Sequence, residues 1–164
     1  MKKTLILITS IITLIVLAGI VLGTSIIVKT NNPEFEQDAS FYKALGDYFA
    51  EHQETSKAIS MYEQSLSLGK DLDVTNNLAV LYHTTGNYKK AIEQVEELVE
   101  AKPENPSYHY DLAVNLVARF RNTEDKQMED LYLALEEYEL AERLEPGYEN
   151  AKQNAEVIRQ VLKI

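Results

Sequence analysis

Two patterns of apolar and polar positions divide this chain. From Thr4 to Val28 there are 25 residues without a charge, rich in Leu, Ile and Val. A helix of that length, at about 1.5 Å per residue, more than covers a hydrocarbon core of about 30 Å. After a polar stretch, Thr30 to Ala39, apolar residues return at intervals of three, four and seven, as in Tyr42, Leu45, Phe49, Ile59, Tyr62 and Leu66. That spacing predicts amphipathic helices with one buried stripe each. A last stretch, Glu149 to Ile164, carries Ala151, Ala155, Ile158 and Leu162 on one face and polar residues elsewhere.

The helical part repeats itself every 33 to 34 residues. The pattern is Tyr42-x₂-Leu45-Gly46-x₂-Phe49, then Thr75-x₂-Leu78-Ala79-x₂-Tyr82, then His109-x₂-Leu112-Ala113-x₂-Leu116. Each is followed by an alanine with a large apolar residue four positions later: Ala58 and Tyr62, Ala91 and Val95, Ala134 and Tyr138. Pro103 and Pro146 close the second and third units, where the first has Lys70. Over roughly 39 to 148 this resembles the tetratricopeptide repeat (TPR) family, with its W-x₂-L-G-x₂-Y, A-x₃-F and terminal Pro.

The resemblance implies an all-α, right-handed solenoid of three helix pairs, about 39–71, 72–105 and 106–148, with a capping helix over about 149–164. Gly46, Ala79 and Ala113 on the first helices, and Ala58, Ala91 and Ala134 on the second, would sit where paired helices cross most closely. Gly86-Asn87 is the expected turn of the second pair, whereas the first pair has no glycine in Glu51-His52-Gln53-Glu54. The third pair is nine residues longer between its landmarks, and the excess predicts two lengthened helices with a turn near Asn122 to Asp125. Its tip, with Arg119, Arg121 and Met128, is a candidate second contact surface.

The N-terminal segment, residues 1–29, reads as a retained transmembrane signal-anchor, because its apolar run exceeds that of a cleaved signal peptide and no Ala-x-Ala site follows it. Lys2 and Lys3 on one side against Lys29 on the other favour a cytoplasmic N-terminus, with the repeats outside the cytoplasm. Gly19 and Gly23 form a G-x-x-x-G that permits close approach of two such helices. Residues 30–38 read as a tether.

Composition narrows the function. The chain has 26 acidic and 16 basic residues, a net charge of −10, and every acid follows Lys29. Nucleic acid is disfavoured as a partner, since phosphate neutralisation needs clustered Lys and Arg. Absence of cysteine excludes disulfides and thiolate metal sites. The histidines, His52, His83 and His109, fall in three different repeats and in no metal-binding spacing, and no glycine-rich phosphate loop is present. No nucleophile is set beside a base, so neither an enzyme nor a cofactor is expected.

In the TPR family the first helices line a concave face. Carried over by motif, that face would hold Lys43 and Asp47, then Asn76, Asn77, Val80 and His83, then Tyr110, Asp111 and Asn115. One subclass grips a carboxylate with Lys, Asn and Arg side chains. Lys43 and Asn77 would match it, but Asp47 replaces an Asn, and Ser107 and Asp111 stand where Lys and Arg are required. Two acids there would repel an acidic peptide end. The expectation is a membrane-tethered scaffold whose polar groove takes a peptide or protein segment, with Asn77 at its centre and free of core contacts. A self-associating module, using anchor and repeats, is the alternative.

Overall fold

The structure is a computed structural model that describes residues 37–124 and 126–164. The expected transmembrane helix, with Gly19 and Gly23, lies outside the described residues. Among the described residues there are seven helices and no strand: α1 Ala39–Glu51, α2 Thr55–Leu68, α3 Leu72–Thr84, α4 Tyr88–Ala101, α5 Pro106–Asn122, α6 Met128–Leu144 and α7 Ala151–Leu162. None of them is long and apolar enough to cross a membrane. Each packs chiefly on its neighbours in sequence, as in a helical solenoid.

Helix starts follow from side chains that satisfy otherwise orphaned amides. Asp38 accepts from Phe41 N at 2.9 Å to open α1. Asp71 accepts from the amides of Asp73 and Val74 to open α3. Asn105 accepts from Ser107 N at 3.0 Å, and Pro106 supplies the fixed φ of the first turn of α5. The turns are equally specific. Gly86 has φ +77°, and Gln53, at the same place in the first pair, has φ 59°. The first turn therefore keeps the left-handed geometry without the residue that adopts it freely.

The small residues lie at the helix crossings. Ala58, Ala91, Ala113 and Ala134 are fully buried, and Ala79 is nearly so. One cluster joins Ala58, Tyr62, Val74, Leu78, Tyr82 and Ala91; the second runs from Ala79 through Leu112, Leu116, Leu131 and Tyr138 to Ala151, Ala155 and Ile158. The last three come from α7, which covers the end of the array.

The third pair contains two helices of 17 residues each, against 13 or 14 in the other pairs. The excess is about one turn per helix. The tip differs from the expected contact surface in one respect. Arg119 donates from Nε and Nη2 to the two carboxylate oxygens of Asp130, at 2.9 and 2.5 Å, and Asp130 is only 1% exposed. Arg119 thus joins the two long helices internally, because a carboxylate buried there requires a paired cation. Arg121 and Met128 remain exposed at this end.

Candidate functional site

Residues of α3 and α5, with Val95 of α4, enclose a recess of about 160 Å³, lined by Asn76, Ala79, Val80, His83, Thr84, Val95, Asp111, Val114 and Asn115. Five of the nine expected groove residues are here: Asn76, Val80, His83, Asp111 and Asn115. Their spacing explains the gathering. On α3 the positions 76, 80 and 83 share one face, and on α5 the positions 111, 114 and 115 do the same. Ala79, Val95 and Val114 supply an apolar floor that the motif-based reading did not include. Val95 is the large apolar partner of Ala91 in the repeat pattern, so it is shared between core and recess.

The polar side of the recess is fixed by a chain of hydrogen bonds. Asn115, 5% exposed, donates from Nδ2 to the carbonyl of Asp111 at 2.8 Å. That contact orients its amide, so Oδ1 faces His83 Nδ1 at 2.9 Å as an acceptor. His83 Nδ1 therefore carries a proton, and in the neutral ring Nε2 is left as an acceptor. Beside them burial pushes the Asp111 carboxyl above the usual carboxylate range, against a weak contact from Ser107 Oγ at 3.5 Å and the opposing effect of His83. No ion pair to Asp111 occurs among the described residues.

The other four expected groove residues are spent on the fold. Lys43 Nζ pairs with Asp71 at 2.9 Å and Asp73 at 3.4 Å, tying α1 to the start of α3. The Asp71 hydrogen bond raises the Lys43 ammonium above its ordinary value, and Lys43 in turn lowers Asp71. Asp47 accepts from the Tyr62 hydroxyl at 2.6 Å, and Asn77 Nδ2 donates to the same hydroxyl at 3.2 Å. Burial, then the hydrogen bond to Asp47, pushes the Tyr62 phenol up to about 12. Tyr110 packs edge-on against Tyr138 and Tyr148, with ring centroids at 5.3 and 5.8 Å, and its hydroxyl accepts from Asn154 at 3.4 Å.

Asn77 is therefore not free of core contacts, as the sequence had implied. The correction rests on Tyr62, a buried phenol whose oxygen needs partners, and Asn77 is one of them. Asn77→Ala is expected to cost about 1 kcal/mol of stability. Urea unfolding measures it, and an unchanged midpoint would detach Asn77 from the Tyr62 network.

The remaining histidines have separate surroundings. His109 is buried, with Nε2 at 2.7 Å from the Pro103 carbonyl and Nδ1 at 2.6 Å from Glu137. It occupies an aromatic core position and joins α5 to α6 and to the preceding loop. His52 lies exposed at the end of α1, its Nδ1 2.7 Å from the Tyr48 carbonyl. Among the described residues no three His, Asp or Glu side chains are grouped to hold a metal ion.

Residues 49–118 match the family model described as Tetratricopeptide repeat. Over these residues the chain carries tetratricopeptide repeats. Solved TPR structures extend the likeness. The Sgt2 TPR domain of Aspergillus fumigatus is 26% identical, with a TM-score of 0.58 over 76% of this chain and 79% of that one. The first TPR of Spaghetti, solved with the HSP90 peptide SRMEEVD, is 19% identical, with a TM-score of 0.63 over 78% and 95%. The type III secretion chaperone SycD of Yersinia enterocolitica, in complex with a peptide of the translocator YopD, is 15% identical, with a TM-score of 0.61 over 76% and 94%. No curated protein matches the sequence.

Proposed function

We propose that this TPR protein is a membrane-tethered interaction scaffold that holds an extended segment of another protein along its first-helix face. The observation that carries the reading is the recess between α3 and α5, which joins an apolar floor to amide, imidazole and carboxylate groups. Such a surface suits a polypeptide, because its polar groups meet the backbone while small apolar walls take alternate side chains. The peptide complexes of Spaghetti and SycD are built on similar arrays and support the same use here.

Val80 tests this reading. It stands at the recess and is 54% exposed, so Val80→Arg leaves the core untouched while filling the groove. With the full chain in detergent, Val80→Arg is expected to release partners that wild type and a Glu93→Arg control on α4 both retain. Equal retention by all three would move binding away from the recess.

The tether rests on the uncharged run from Thr4 to Val28. Protease added outside cells whose outer barrier has been opened is expected to digest the repeats. Protection of the repeats in those opened cells, with digestion only after full lysis, would reverse the proposed orientation.

Self-association is the second reading, favoured by Val157 and Val161, which leave an exposed apolar face on α7, with Ile164 exposed just beyond its end. Retention of tagged by untagged full-length chain in the same experiment, abolished by Val157→Glu but not by Val80→Arg, would favour it over the groove.

A further inference from the structure

Asp111 is the one acid among the residues lining the recess, and the groups around it determine what it can accept. Val80, Val114, Ala79 and Val95 make the walls apolar, so a carboxylate there loses much of its hydration. Among the described residues no Lys or Arg pairs with it, and His83 is the basic group that acts on it. Lys43, the basic residue of the expected groove, is committed to Asp71 and Asp73. His83 lines the same recess but turns the proton on its Nδ1 to Asn115, and its Nε2 is an acceptor in the neutral ring. Asn115 has both ends of its amide engaged inside the fold. Asn76 adds an uncharged amide, so the recess presents a carboxylate with no Lys or Arg beside it.

An apolar ligand side chain entering it would strip water from Asp111 and return nothing. An acidic one would add repulsion, and Glu149 already contributes a negative field at this carboxyl. A lysine or arginine fits both parts, with its methylene stem against the valines and its charged head on the carboxylate. The volume, about 160 Å³, has room for one long side chain and not for a folded element.

We infer that the recess between α3 and α5 takes a basic side chain, lysine or arginine, from the bound polypeptide, with Asp111 as its counter-ion. This rests on the groove reading above and gives it a ligand class. It also states why the chain should reject the acidic peptide ends that a Lys, Asn and Arg clamp would hold, since Asp111 takes the place of a clamp cation.

The test is selection of a randomised library of end-blocked heptapeptides against the full chain in detergent, with Asp111→Asn, Asp111→Arg and Val80→Arg selected in parallel. The expected result is enrichment of Lys or Arg at one position of the selected peptides. Affinity of the winning peptide should fall about tenfold or more on Asp111→Asn, with circular dichroism unchanged. Asp111→Arg should instead select peptides rich in Asp and Glu, an inversion that loss of folding could not produce. Basic peptides whose affinity survives Asp111→Asn would overturn the assignment of the counter-ion. Peptides without a basic residue whose binding is lost in Val80→Arg would overturn the cation preference and keep the groove. Peptides indifferent to Val80→Arg, or no enrichment at all, would overturn both.

Discussion

Gly46→Ala is expected to destabilise the array by about 2 kcal/mol, although alanine is the better helix former by about 1 kcal/mol. Gly46 lies inside α1 and is buried against the Tyr62 ring. A Cβ added there would overlap Cδ1 and Cε1 of that ring and come within 3.0 Å of Cγ. The ring has no route of retreat. It is 1% exposed, and its hydroxyl is held by Asp47 and Asn77. In the second pair the same two positions hold Ala79 and Val95, a larger first-helix residue facing a smaller second-helix one. Gly46→Ala should accordingly cost much less when Tyr62→Val is already present. Chemical denaturation of the four chains of this cycle measures the coupling. A midpoint raised by Gly46→Ala alone would mean that propensity governs the site and that the crossing is not tight.

Arg119→Ala carries the second large effect, a loss of about 3 kcal/mol. Asp130 stays behind with its carboxylate buried, and the two-pronged contact that neutralised it is gone. The double variant Arg119→Ala with Asp130→Ala should recover at least half of that loss, since removing both charges removes the stranded one. Thermal melting distinguishes the cases. If Arg119→Ala leaves the midpoint where it was, the pair does not hold the long helices together, and Arg119 returns to the surface role that the sequence assigned it.

How much of this was legible in the sequence follows from the range of each interaction. The small residues at the crossings were readable because a repeat shows the same demand three times. The lengthened third pair was readable from the spacing between Leu112 and Ala134 alone. The Arg119–Asp130 pair was within reach as well. The two residues stand at almost equal distances from the turn between α5 and α6, so an antiparallel hairpin must bring them level. What the reading lacked was the burial of Asp130, which depends on how the helices rotate about their axes. Periodicity fixes that only to within a face.

The groove was legible in its location and less so in its membership. Asn76, Val80, His83, Asp111 and Asn115 gather at one recess as the motif implied. Lys43, Asp47 and Asn77 satisfy the register but answer to partners from other helices, Asp71 and Tyr62. Tyr110 is drawn away by the aromatic neighbours Tyr138 and Tyr148. A motif states which way a side chain sets out, and the partners that hold it belong to the tertiary structure.

The account turns on whether a polypeptide lies over the recess between α3 and α5. A photo-reactive amino acid placed at Val80 of the full chain in its native membrane reads that directly, with the same group at Glu93 on α4 as the comparison. The account predicts a covalent adduct to a foreign polypeptide from position 80, absent from position 93 and lost when excess basic peptide is added. Adducts of equal yield from both positions, or from 93 alone, would contradict it.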